Sequence, residues 1–306
     1  MRIGFAVPQY GPFADPDFIR EAATRLEDMG YDSLWAADRV IVPLAPSHRY
    51  PGGDGRIPEA YATFFDPLSA LTLAAVGTSR VRLGTSTLNA LWQPPVLLAR
   101  SLASLDLISH GRLDVGLGLG WLGDEYTATG VPWRGKSPRL EETLDLLETL
   151  WSAEVVAHEG PLWTVPPCRV DLKPHQRPRP PILLAGLTAA ALERVGRRAD
   201  GWLGAAMPAP YLKHLWDTAL RSAEKAGRDP AALRMVIRIN PRITRDPVPA
   251  GEVPRAGTVA QIAGHLDALA EAGAHEVFVD VQTTTSARGE LMDIAEEFVA
   301  RARDRR

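Results

Sequence analysis

The chain has 306 residues, with 34 basic against 37 acidic for a net charge of −3, and 45% of its side chains are hydrophobic. That length and apolar share give a large buried core, as one α/β barrel or two ordinary domains, and the near-balance of charge leaves no basic stripe for nucleic acid. The single cysteine, Cys168, excludes an internal disulfide and any multi-cysteine metal site, and no apolar run is long enough to span a bilayer.

In chain order, Arg2–Val7 is a predicted strand, entered at once without a charged leader and cleavage site, so a cytoplasmic enzyme is expected. Asp17–Met29 is a helix with Phe18, Ala22, Leu26 and Met29 along one face, stopped by Gly30. Strand Ser33–Ala37 delivers Asp38 and Arg39. From Val40 to Asp66 the chain is punctuated by four prolines and three glycines, and a connection this long is read as a lid carrying His48, Arg49, Tyr50 and Tyr61. Helix Pro67–Val76 follows. Then come strand Val81–Leu88, helix Val96–Ile108 and strand Arg112–Leu119, a βαβ unit in a sheet buried on both faces. Its glycine-bearing strand ends, at the edge where ligands of parallel sheets sit, mark the expected site.

Beyond it, Gly123–Ser137 reads as loop, Pro138–Trp151 as helix, and Glu154–Val165 as a hairpin turning at Gly160. Strand Ile182–Ala185, helix Thr188–Arg198, strand Gly201–Ala205, helix Tyr211–Ala226 and strand Arg234–Ile239 come next. A proline-rich loop over Asn240–Gly257, helix Thr258–Ala272, strand Glu276–Val281 and helix Arg288–Arg303 complete the chain. Eight strands alternating with helices, without a linker, predict a single domain over residues 1–306 with the TIM (β/α)8 barrel fold, its chemistry on the loops after the strands. A doubly wound sheet is the alternative.

Gly118-Leu-Gly120-Trp-Leu-Gly123 satisfies the dinucleotide GxGxxG pattern, but that pattern needs a helix opening at the glycines, and Gly130, Pro132 and Pro138 delay the helix. Gly116, Gly118 and Gly120 are read instead as keeping side chains away where a flat ligand approaches. Gly186, Leu187 and Thr188 precede a helix whose first N–H groups favour an anion, with a plain N-cap as the competing reading. Asp38 would point into the cavity mouth, or serve as a loop carboxylate. His48 is an acid/base candidate or a surface histidine. Trp92, Trp121 and Trp133 lie near strand ends, as core or as walls of an aromatic pocket. Seven scattered histidines and no HExxH motif argue against a catalytic metal.

The stretches VRLGTSTL, LLARSLASLDLISHGRLDVGLGLGWLGDEY, RLEETLDLLETLW and PPILLAG with ALERVGRRADGWLGA resemble the bacterial luciferase-like monooxygenase superfamily, especially its coenzyme F420-dependent branch. They span roughly residues 1 to 205. The resemblance implies a TIM barrel holding a deazaflavin or flavin at the strand C-terminal ends. It implies a backbone bulge after the third strand, often with a non-prolyl cis peptide, at Ser86-Thr87, and a cofactor carboxylate at Asp38. Phosphate capture would map to Gly186, Leu187 and Thr188; from the residues themselves, Gly120 and Trp121 join the cofactor-binding set. Relatives are often homodimers through the early helices. One departure matters: deazaflavin dehydrogenases of the superfamily have an Asp-His pair where this chain has Asp38-Arg39, and a sugar-phosphate dehydrogenase has a glutamate where this chain has Trp121. The acid/base role then falls to His48, Tyr50 or Glu125. The expected activity is hydride transfer between F420 and a small organic substrate, with no nucleic-acid or membrane partner. A monooxygenase using reduced FMN and oxygen is the rival, and a non-catalytic flavin-binding protein a third reading.

Overall fold

Short strands of branched and aromatic residues with no polar face have to be covered on both sides, and the chain does this by closing them into a ring. The computed structural model describes residues 1–305. Its barrel strands are β1 (Arg2–Ala6), β2 (Ser33–Ala36), β3 (Arg82–Thr85), β4 (Leu113–Gly118), β5 (Ile182–Ala185), β6 (Gly201–Ala205), β7 (Arg234–Ile239) and β8 (Glu276–Val279). All pair in parallel in the order β3-β2-β1-β8-β7-β6-β5-β4. Leu83 opposite Leu113 and Gly84 opposite Asp114 join β3 to β4, so no edge remains among them. That closure makes the fold a TIM barrel and rules out the open, doubly wound alternative.

The barrel interior is layered. At the N-terminal ends of the strands, Asp114 is held by Arg82 and Arg234 at 2.7 Å each, and Glu276 by Arg2 at 2.7 Å and the Ser33 hydroxyl at 2.5 Å. Burial pushes Asp114 up, but the two arginines outweigh it and hold its carboxyl below the usual range. The middle layer is apolar: Trp35, Leu183, Leu203, Val236 and Phe278, with Trp35 stacked on Phe278 at 4.9 Å. Above it, at the C-terminal ends, the lining becomes polar again.

The surrounding helices are α1 (Pro16–Met29), α2 (Pro67–Gly77), α3 (Pro95–Ile108), α4 (Gly123–Ala128), α5 (Lys136–Ser152), α6 (Ala189–Arg198), α7 (Ala209–Lys225), α8 (Val259–Gly264), α9 (Leu266–Glu271) and α10 (Arg288–Arg303). Asp15 and Asp66 cap α1 and α2 by accepting the amides of Phe18 and Ser69 at 2.8 and 2.7 Å. Four segments depart from the sequence reading. The strand over 81–88 breaks at the Ser86-Thr87 cis peptide, and Leu88–Asn89 rejoins the sheet beside Leu117 and Gly118. The presumed loop 123–137 opens with α4. The hairpin runs on to Arg169, as Val155–Glu159 against Thr164–Arg169. The helix predicted over 258–272 divides at His265, where Gly264 weakens it. Among the described residues no helix is long and apolar enough to cross a membrane.

Candidate active site

The site grows from the end of β3. Thr85 donates its hydroxyl to the Gly116 carbonyl at 2.7 Å and accepts the Gly116 amide at 2.9 Å, which locks the two strand ends together. The backbone then bulges at Ser86 and Thr87. A Cβ on Gly116 would overlap the Thr85 carbonyl oxygen, and one on Gly118 would stand 2.5 Å from the Thr87 hydroxyl. These two glycines therefore make room for the bulge itself, which corrects the expectation that they clear space for a ligand. Gly120, at φ +58°, lines the open space, and a Cβ there would come within 2.9 Å of the Asn89 side-chain amide.

That space is a cleft of about 180 Å3 at the C-terminal ends of β2, β3, β4 and β7. Asp38, Ser86, Thr87, Asn89 and Arg238 line it from the barrel, Gly120, Trp121 and Glu125 from the loop after β4, and Tyr50 and Tyr61 from the long 40–66 loop. Asp38 accepts the Asn89 amide at 2.9 Å through one carboxyl oxygen. Its burial pushes its pKa up to about 7; the Asn89 amide works against this, and nearby Glu125 and Asp66 add to it. A carboxyl that holds its proton near neutrality is equipped for acid–base work.

Next to it, Arg39 donates to Glu125 at 2.7 Å, and the Val40 amide donates to the other Glu125 oxygen at 2.9 Å. The Arg39 guanidinium lies 4.9 Å from the Trp121 ring and 5.8 Å from that of Tyr61, a cation held between aromatic faces. Burial raises the Glu125 pKa, opposed by Arg39 and the backbone amides. Both oxygens of Glu125 are thus committed to fastening the end of β2 to α4. On the cleft's other side Arg238 donates to the Ser86 carbonyl at 3.0 Å and to Asp280 at 2.6 Å, and Asp280 also accepts the Tyr10 hydroxyl at 2.9 Å. Burial works against the charge of Arg238, but Asp280 and the nearby tyrosines outweigh it and raise its pKa. The hydroxyls of Tyr50 and Tyr61 meet at 3.1 Å. The Nε groups of Arg39 and Arg238 are buried without a hydrogen-bond partner among the described residues.

Of the eleven residues given a catalytic or cofactor role from sequence, seven therefore meet in one cleft: Asp38, Tyr50, Ser86, Thr87, Gly120, Trp121 and Glu125. Four others lie outside it. His48 is exposed; its Nδ1 is 2.8 Å from the Ser47 hydroxyl and accepts the Gly123 amide at 3.3 Å, and its ring packs 4.9 Å from Trp133. With Ser47 donating to Asp124, this pins the loop onto the start of α4 instead of reaching the reaction space. Thr188 accepts the Ala191 amide at 3.3 Å, the plain N-cap of α6; Leu187 is exposed, and the Gly186 carbonyl accepts the Trp202 indole N–H at 2.9 Å. Of the three tryptophans, Trp92 and Trp121 line the cleft. The GxGxxG glycines form no nucleotide turn, although α4 does open at Gly123, earlier than expected. Sequence reasoning missed Asn89, Phe64 and Arg238. A signal existed for Arg238: in RMVIRI the two arginines share one phase of a buried strand, so both point inward.

Comparison with known proteins adds context to this geometry. The family model described as luciferase-like monooxygenase matches residues 4–262. An uncharacterised protein of Mycobacterium tuberculosis is 32% identical over 217 residues, covering 68% of this chain and 77% of the relative. The F420-dependent glucose-6-phosphate dehydrogenase of Kribbella flavida is 29% identical over 260 residues, covering 81% of this chain and 70% of that enzyme. Among solved structures, the monooxygenase RslO1 from Streptomyces bottropensis superposes with a TM-score of 0.82 at 23% identity, over 100% of this chain and 99% of the other, a likeness of fold.

Proposed function

The chain belongs to the luciferase-like monooxygenase family, and on that premise we propose that it is an oxidoreductase moving a hydride between coenzyme F420 and a small organic substrate at the barrel mouth. The observation that carries this reading is the cleft between the Ser86-Thr87 bulge and the Trp121 wall, with a proton-holding Asp38 on its rim.

The donor set fits a planar ring with carbonyl and N–H edges. Two buried guanidinium N–H groups, on Arg39 and Arg238, have no partner among the described residues, and Asp38 keeps one oxygen free of the Asn89 amide. At about 180 Å3 the cleft is smaller than pockets that enclose a whole drug-sized ligand, about 300–1,000 Å3, so it suits a ring whose tail lies outside. Bound there, a deazaflavin would supply the carbon that gives or takes the hydride. The bulge and the Trp121 face would orient the ring, and the tyrosines of the 40–66 loop would shield it from water. Asp38 would hold the proton that a carbonyl substrate needs on reduction, or that an alcohol gives up on oxidation. Glu125, committed to Arg39 and Val40, acts in this reading by position and not by proton transfer.

Support for F420 comes from the K. flavida enzyme; the likeness to a monooxygenase fold keeps a second reading, reduced FMN with oxygen, in view. Equilibrium titration with F420 and with FMN separates the two. The proposal expects F420 to bind at least about tenfold more tightly, a difference of about 1.4 kcal/mol. Tight FMN binding with no F420 affinity overturns it.

A further inference from the structure

We infer that the chain carries a second ligand site, beside the barrel mouth and sharing the Trp92 wall with it, for a compact carboxylate with an apolar aryl or alkyl body. The site is a cavity of about 260 Å3, larger than the cleft. It forms where the loop before α3 (Leu91, Trp92), the loop after α4 (Val131), one face of α5 (Arg139, Thr143) and the hairpin (Trp163) converge. Arg139 and Thr143 are four residues apart and so share that helix face. Glu142 holds the hairpin over it: its carboxylate accepts the amides of Trp163 at 2.8 Å and Leu162 at 3.1 Å and lies 3.1 Å from the His158 ring. The cavity is therefore a built feature between three fixed elements.

Its lining sets apolar and aromatic side chains (Leu91, Trp92, Val131, Trp163) beside polar groups, and among the described residues Arg139 is the one ionisable side chain on it. Other partly buried arginines are matched: Arg82 and Arg234 by Asp114, Arg194 by Glu141, Arg238 by Asp280, and Arg112 by main-chain carbonyls. The Arg139 guanidinium makes no hydrogen bond or ion pair among the described residues, and its Nε is shielded from water. Trp92, which also borders the cleft, keeps its indole N–H buried without an acceptor among the described residues. An unpaired cation with open donors beside aromatic and apolar walls is the complement of a carboxylate with an apolar body, which a guanidinium takes through two parallel hydrogen bonds. An apolar cavity of about 150 Å3 accommodates benzene, so this one has room for a ring and a short acid chain. The inference is independent of the proposed redox chemistry, because it concerns a different cavity and is read by binding alone.

The test is isothermal titration of the full chain with 3-phenylpropionate and with its neutral amide, in wild type and in Arg139→Gln and Arg139→Lys. The expected result is one-to-one binding of the acid, undisturbed by F420 or FMN, with the amide weaker by at least about tenfold. Arg139→Gln should lose affinity by a similar factor and Arg139→Lys should retain part of it. Equal binding of acid and amide to wild type overturns the inference without recourse to any variant, as does no binding of the acid at millimolar concentration. Undiminished affinity in a folded Arg139→Gln protein does the same.

Discussion

At the scale of single residues, the site's chemistry depends on where burial places charge. Asp38 has a pKa of about 7 when folded against 3.8 as a free side chain. The folded chain therefore binds more protons than the unfolded chain between about pH 4 and pH 7. Stability contributed by this group is full below that window, falls as pH rises through it, and levels off above it. The total is about 4 kcal/mol, from three pH units at about 1.4 kcal/mol each. Asp38→Asn removes the titrating group while keeping an oxygen for the Asn89 amide. Urea denaturation should find the variant close to wild type at pH 4, more stable by a few kcal/mol at pH 8, and about 100-fold slower in turnover. An unchanged pH slope would show that Asp38 does not carry the buried proton. Arg39 is paired with Glu125, which is itself buried, so the two form a strut, and that pairing was invisible in a sequence where the residues are 86 positions apart.

At the scale of elements, the decisive join is between β3 and β4. The glycines of LDVGLG were legible as unusual in a buried strand, but their purpose was not, because sequence says nothing about which backbone lies alongside. In the fold, the Thr85 carbonyl and the Thr87 side chain occupy the places where Cβ atoms of Gly116 and Gly118 would be. Gly116→Ala should then force the bulge aside and destabilise the chain by about 1–3 kcal/mol, the usual cost of overpacking, as read by thermal melting. A melting temperature equal to that of wild type would mean the bulge gives way freely. The 40–66 loop was legible as long and punctuated, and its tyrosines reach the cleft; the role of His48 as a pin onto α4 was not, since it needs the register of two distant segments.

At the scale of the whole molecule, the alternation of strands and helices carried the barrel, because each apolar strand followed by an amphipathic helix has few ways to bury both faces. The layering inside came only with the structure. Asp114 reaches Arg82 on one neighbour and Arg234 on a strand 120 positions away, which ties β3, β4 and β7 at the base. Asp114→Ala leaves two partly buried arginines facing each other and should cost about 3 kcal/mol in urea denaturation while sparing ligand affinity per folded molecule, since the cleft lies at the opposite end. A loss of affinity without loss of stability would contradict that separation of base and mouth. The central claim, that the ring of F420 lies against the Ser86-Thr87 bulge, is tested most directly by hydrogen–deuterium exchange with and without saturating F420. The account predicts slowed exchange in segments 37–40, 86–92 and 118–125; protection confined to other segments, or none at all, would contradict it.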